Sequence, residues 1–192
     1  MTSPPQPASP VADRRIVVGL SGGIAGYKVA SVVSRLVQDG ASVTVAMTDA
    51  ATRFITPLTF QALSGRPVYT SQWEHIESQD PQHISLARAA DLMLIAPCTM
   101  DMMAKLATGR TDDVVSLIAS AIDLQAKPVL LAPSMNEVMW NQPSTRRNHE
   151  QLIADGFEMI GPEGGWQACR TIGVGRMAEP DAIAARILEK LS

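Results

Sequence analysis

Cysteine is scarce in this chain. Only Cys98 and Cys169 occur among 192 residues, far apart and without metal-ligand spacing. Neither a disulfide framework nor a metal site is expected, and the pattern fits a reducing, cytoplasmic setting. Long apolar runs are missing as well. No stretch approaches the roughly 20 residues needed to cross a bilayer, and the N-terminal residues lack the apolar core of a signal peptide. Basic excess is the third absence. Sixteen Lys and Arg against nineteen Asp and Glu leave a formal charge of −3 with no basic block, which argues against nucleic-acid binding through a charged face. What remains is ordinary for a soluble globular domain: 46% hydrophobic residues, enough for a sizeable core in one unit of this length.

Residues 1–13 carry Pro4, Pro5, Pro7 and Pro10 among small and polar side chains, which predicts a disordered tail and leaves 14–192 as the folded domain. Residues 15–20 read as a buried strand. Residues 21–26 turn into a helix running to about Gln38 and closed by Gly40, and residues 42–47 read as the next strand. A β-α-β unit of this length implies a parallel, right-handed crossover. Thr48 and Asp49 predict the cap of a short helix carrying Phe54. A helix over 57–63 ended by Gly65, a short strand at 67–69 and a polar surface loop over 71–82 follow. Further helices are expected at 83–90, 101–107, 112–122, 143–155 and 180–191, and strands at 91–96, 128–131 and 157–160. Residues 162–177 are rich in glycine and show no period. Alternating strands and helices predict an α/β fold, a three-layer sandwich around a Rossmann-like, flavodoxin-like parallel sheet.

The stretch that organises the chain is 132–140, Ala-Pro-Ser-Met-Asn-Glu-Val-Met-Trp. It follows a buried strand, where open α/β sheets bind ligands. The amide of Asn136 suits a carboxylate or a peptide-like group, and Met135, Met139 and Trp140 would screen that group from water. A loop with core methionines reads equally well. Ser21, Gly22 and Gly23 sit between a strand and a helix start, where free amides and the helix dipole favour phosphate; a plain tight turn fits the same residues. Thr48 and the segment 97–101 end strands at the same sheet edge. Together these ends are compatible with one phosphate-and-ring pocket or with ordinary capping. His83 is either an acid–base group or a capping residue, and His75 and His149 carry less. Cys98 reads as packing. Cys169, in the glycine-rich stretch, reads as a thiol on a mobile lid or as a chance exposed cysteine.

Taken together, residues 15–187 resemble the homo-oligomeric flavin-containing cysteine decarboxylases. The resemblance rests on Ser-Gly-Gly-Ile-Ala at 21–25, on Met47, Thr48 and Phe54, and on the run from Thr56 to Gly65. It continues with His83-Ile84, Ala-Pro-Cys-Thr-Met-Asp at 96–101, the complete Pro-x-Met-Asn-x-x-Met-Trp motif at 133–140, Ala168-Cys169, and Gly175-Arg176-Met177. It implies FMN, bound between protomers by Ser21, Gly22, Gly23, Ile24, Thr48, Asp49, Ala50, Phe54, Thr99, Met100, Asp101, Met102 and Ser134. It implies His83 and Cys169 as catalytic residues, and Asn136 with Met135 and Met139 as the substrate site. The implied reaction is oxidative decarboxylation of 4'-phosphopantothenoylcysteine to 4'-phosphopantetheine in coenzyme A biosynthesis. The implied assembly is a homotrimer or a dodecamer of trimers. Three departures stand out. Residues 97–102 read Pro-Cys-Thr-Met-Asp-Met in place of Pro-Ala-Ser-Ala-Asn-Thr, Ser134 replaces an alanine, and Arg170 replaces a glycine, which is expected to stiffen or re-aim the lid. The sequence stops at Ser192, so a phosphopantothenoylcysteine synthetase is expected as a separate protein. The rival readings are a peptidyl-cysteine decarboxylase, a flavin prenyltransferase of similar fold, and a non-catalytic flavoprotein regulatory subunit.

Overall fold

A computed structural model describes residues 9–74 and 81–192. In chain order the elements are β1 (Arg15–Leu20), α1 (Gly26–Gln38), β2 (Ser42–Met47), α2 (Asp49–Thr52), α3 (Pro57–Ser64), β3 (Val68–Tyr69), α4 (Gln82–Ala89), β4 (Leu92–Cys98) and α5 (Met100–Thr108). There follow α6 (Val114–Ser120), β5 (Val129–Pro133), α7 (Glu137–Trp140), α8 (Pro143–Asp155), β6 (Glu158–Met159), β7 (Glu163–Trp166), β8 (Ile172–Arg176) and α9 (Pro180–Leu191).

β1 shows how sequence becomes layers. Its side chains alternate across the sheet: Ile16, Val18 and Leu20 join one core and Val17 the other. On the first face α1 presents Val29, Val32, Val33 and Leu36, all fully buried at helical spacing, and α9 adds Ile183 and Ile187. On the second face Met102, Met103 and Leu106 of α5 pack with Val114, Val115 and Ile118 of α6. The result is a three-layer α/β sandwich. Its main sheet is parallel throughout, in the order β3-β2-β1-β4-β5-β6. The chain builds outward from β1 to β3, then returns to place β4 on the other side of β1. Connections therefore leave β1 and β4 in opposite directions and open a crevice at their carboxyl ends, the place where such sheets bind ligands.

Several expectations change. Residues 9–13 are not a tail: Val11 is fully buried, and the Asp13 N–H donates to the Gly40 carbonyl at 3.0 Å. One apolar side chain among the prolines suffices to pin that segment, while residues 1–8 lie outside the described residues. α2 is a single turn capped by Thr48 and ends before Phe54, which stands 53% exposed. α6 starts only at Val114, because Asp113 accepts from the N–H groups of Val115 and Ser116 and fixes the start there. β4 runs on to Cys98, held by bonds from Ser21 to the Pro97 carbonyl. The loop expected over 71–82 falls partly on residues 75–80, as does His75, outside the described residues; Gln82 opens α4. The glycine-rich stretch is an antiparallel hairpin of β7 and β8. Its glycines hid the strand period that a sequence reading relies on. Among the described residues no helix is long and apolar enough to cross a membrane.

Candidate active site

The crevice is built first by Ser21. Its hydroxyl donates to the Pro97 carbonyl at 2.6 Å, lies 3.0 Å from Thr99 Oγ1 and accepts from the Thr99 N–H at 3.0 Å. This ties the loop after β1 to the loop after β4. Ser21 is buried and serves this tie, leaving the next residues to face the cavity. A Cβ on Gly22 would lie 2.5 Å from the Ala50 Cβ, so only glycine lets α2 pack against this loop. Ala50 thus shapes the loop from behind. α1 then begins with no side-chain cap; the Gly26 and Lys28 N–H groups bond back to the Gly23 and Ala25 carbonyls, which leaves the Tyr27 N–H between them to an anion.

Asn136 is more constrained than its sequence implied. It is the N-cap of α7, with Oδ1 accepting from the Met139 N–H at 2.8 Å. The oxygen is thereby occupied, and the side chain offers the rest of the site its Nδ2 donor. A donor without charge suits a carboxylate.

The hairpin closes the third side. The Met135 N–H donates to the Gly175 carbonyl at 2.9 Å, the Val174 N–H to Glu137 Oε1 at 3.4 Å, and the Glu137 N–H to Gln167 Oε1 at 3.3 Å. Gly175 has φ +141°, and a Cβ there would collide with the Met135 carbonyl oxygen. The hairpin turn carries Cys169, whose Sγ lies 3.0 Å from Thr171 Oγ1 and 3.5 Å from Gln167 Oε1. Arg170 sits at φ +68°, the left-handed region where glycine is favoured.

Together these segments enclose a cavity of about 760 Å³. Of the residues singled out from sequence, Gly22, Gly23, Ile24, Thr99, Met100, Asp101, Ser134, Met135, Asn136, Met139 and Cys169 line it. Ser21, Thr48, Asp49, Ala50, Phe54 and Met102 do not, and Met102 lies fully buried in the second core. Trp140 is also a packing residue, edge-on to His149 and under the Arg146 guanidinium, 4.9 Å from the ring centre. His83 is absent from the lining as well. It sits in the first turn of α4, a helix that packs on α6 on the second face. Cys98 is fully buried, and burial pushes its thiol well above the usual range, so it packs and does not react.

Sequence reasoning gave no role to several lining residues: Tyr27 and Lys28, in the first turn of α1, and Trp166, Gln167 and Arg176 on the hairpin. Glu179 bonds Lys28 Nζ with both oxygens at 3.0 Å and pairs with Arg176 at 3.3 Å. The hydrogen bond from Lys28, helped by Arg176, holds the Glu179 carboxyl below the usual range. No pattern in the sequence joins Lys28 to residues about 150 positions later; the fold alone does so.

The cavity fits a flavin mononucleotide in the character of its walls. The start of α1 offers the Tyr27 N–H, Thr99 and Ser134 supply hydroxyls, and Ile24, Met100, Met135 and Met139 supply apolar surface for a ring.

Known proteins carry the same construction. A model of the family described as Flavoprotein matches residues 6–192. The coenzyme A biosynthesis bifunctional protein CoaBC of Vibrio cholerae is 45% identical over 91% of this chain and 43% of its own length. CoaBC of Escherichia coli K12 is 45% identical over 88% of this chain and 41% of its own. The chain thus spans less than half the length of these relatives. Among solved structures, a cysteine-to-serine mutant of PPC decarboxylase complexed with pantothenoylaminoethenethiol superposes with TM-score 0.82 at 30% identity, over 91% of this chain and 96% of that one. The FMN binding protein AtHal3 gives TM-score 0.80 at 30% identity, over 91% and 95%. With that match spanning nearly its whole length, and its cavity formed where the sheet switches direction, the chain belongs to the flavoprotein family.

Proposed function

We propose that this chain is an FMN-dependent decarboxylase that converts 4'-phosphopantothenoylcysteine to 4'-phosphopantetheine in coenzyme A biosynthesis. The observation that carries the reading is that Asn136 and Cys169 line one cavity with the glycine loop at the start of α1. A carboxylate anchor, a thiol acid and a phosphate-ready helix start are the parts that this reaction needs. Loss of CO2 from the cysteine end leaves an unstabilised carbanion unless the neighbouring thiol is first oxidised. FMN, when bound, supplies that two-electron oxidation and its reversal.

The chain's own residues do the rest. The start of α1, Thr99 and Ser134 hold the cofactor. Asn136 Nδ2 donates to the substrate carboxylate, and Met135 and Met139 keep water from it. Cys169 delivers a proton to the decarboxylated carbon. His83 assists oxidation of the substrate thiol. It does not line the cavity of its own chain, so in this reading it belongs to the cavity of a neighbouring copy in a trimer or a dodecamer of trimers. Exposed apolar side chains around the cavity support such a contact: Ile24, Tyr27, Val138, Trp166 and Ile172 are each more than half exposed. A phosphopantothenoylcysteine synthetase would supply the substrate.

The test is a side-by-side measurement of CO2 release by FMN-loaded protein from phosphopantothenoylcysteine and from a peptide ending in cysteine. Release from the first, with phosphopantetheine as product, is the expected result. Release from the peptide alone, stopping at an enethiol, would make the chain a peptidyl-cysteine decarboxylase instead. No release from either, with FMN bound, would leave a non-catalytic flavoprotein or a prenyltransferase.

A further inference from the structure

Gln167 is 6% exposed, yet it is polar and lies beside the one exposed cysteine. Its orientation is fixed by chemistry. The Glu137 backbone N–H can only donate, so the atom facing it at 3.3 Å must be the carboxamide oxygen. The same oxygen lies 3.4 Å from Thr171 Oγ1 and 3.5 Å from Cys169 Sγ. Its Nε2 is buried without a partner among the described residues, so this side chain does not satisfy itself where it stands. A buried amide with an idle nitrogen and a fully used oxygen is held there for the oxygen.

The three side chains form a triangle, with Thr171 Oγ1 3.0 Å from the sulfur. Gln167 Oε1 only accepts. The thiol and the hydroxyl can each give or take, and the hydroxyl can swing between the two. We propose that Gln167 and Thr171 are positioning residues for proton delivery by Cys169. This rests on the reading of Cys169 as the proton donor. Before delivery, the thiol and hydroxyl hydrogens are both held toward Gln167 Oε1. During delivery the Sγ–H bond breaks and a C–H bond forms at the carbon that lost CO2. The π electrons of the substrate enethiolate make that bond, and a thioaldehyde is left. The old bond pair stays on sulfur, and the Thr171 hydroxyl turns its hydrogen from Gln167 to the new thiolate.

Thr171 is exposed, so Thr171→Val should fold, and melting temperature checks it. FMN-loaded protein is mixed anaerobically with phosphopantothenoylcysteine. In Thr171→Val, flavin bleaching and CO2 release should proceed as in wild type, while formation of phosphopantetheine slows about tenfold or more and enethiol accumulates. Thr171→Ser should restore the wild-type course. Alkylation by iodoacetamide reads the same triangle without turnover, because Cys98 is fully buried and only Cys169 reacts. Thr171→Val should slow alkylation by removing the thiolate's donor. Gln167→Met should speed it by freeing the Thr171 hydroxyl for sulfur. A merely loosened turn would speed both. Wild-type product and alkylation rates in Thr171→Val, or acceleration in both variants, would overturn the proposal. A Cys169→Ser control separates the two levels. If that variant stalls while Thr171→Val turns over normally, only the positioning role fails. If Cys169→Ser itself makes phosphopantetheine over many turnovers, the proton-donor reading fails and takes the positioning role with it.

Discussion

Asn136 caps α7 with Oδ1, and in the proposed function its Nδ2 is the donor to the substrate. The division makes a clean prediction. Asp caps helices about as well as Asn, so Asn136→Asp should keep the melting temperature of the wild type while losing the donor and adding a like charge. Loss of a partner to a buried charge typically costs about 2 kcal/mol or more, a roughly 30-fold rise in substrate Kd. Substrate titration monitored by flavin absorbance checks this, and unchanged affinity would place the carboxylate elsewhere. Arg170 gives a second prediction. At φ +68° a non-glycine residue is strained by roughly 1–2 kcal/mol, partly offset because glycine costs about 0.5–1 kcal/mol more entropy on folding. Arg170→Gly should therefore raise the melting temperature by about 1–3 °C, and a fall would show that the Arg170 side chain contributes a contact that outweighs the strain. The sequence showed both residues to be special. It could not show the cap, because a polar residue after a strand has the same spelling whether it binds a ligand, a helix or both.

The elements that position the site differ in how readable they are. β1, β2, α8 and α9 lie at the bounds the sequence predicted, because β1 and β2 are short runs rich in β-branched residues and α8 and α9 each open on a proline. The β7–β8 hairpin was opaque. Gly164, Gly165, Gly173 and Gly175 occupy it, and its exposed Trp166, Ile172 and Val174 have no core to alternate against within one chain. It is tied instead to the Asn136 loop, by the backbone bond from Met135 to Gly175 and the bond from the Val174 N–H to the Glu137 carboxylate. Gly175→Ala should break that latch. The collision with the Met135 carbonyl and the positive φ together should cost about 1–3 kcal/mol, felt locally. Hydrogen exchange should show faster exchange at the Met135 and Val174 amides, with β1 and β4 unchanged. Uniform acceleration across the sheet would instead mean that the hairpin holds the whole domain together.

At the scale of the molecule, the sheet order brings together residues that the sequence scatters. Gly23, Thr99, Ser134 and Cys169 come from four separate segments, and the switch between β1 and β4 collects three of them at one edge. Motif spelling named the candidate residues; that Cys169 lines the cavity of its own chain and His83 does not only the fold shows. That separation argues for a site completed by a neighbouring copy. Mixing His83→Asn chains with Cys169→Ser chains, and letting them reassemble, should restore a fraction of wild-type turnover, since some mixed sites then hold both intact residues. No recovery from a verified mixed assembly would place both residues in one chain's site. The proposed reaction oxidises the thiol, loses CO2, takes a proton from Cys169 and then has the two electrons returned. Its most direct measurement is the mass of the product formed anaerobically by FMN-loaded wild type and by Cys169→Ser. The wild type should give phosphopantetheine, with one CO2 released per molecule, and Cys169→Ser should give CO2 with the more oxidised enethiol after a single turnover. Unchanged phosphopantothenoylcysteine with the wild type, or phosphopantetheine from both, would contradict it.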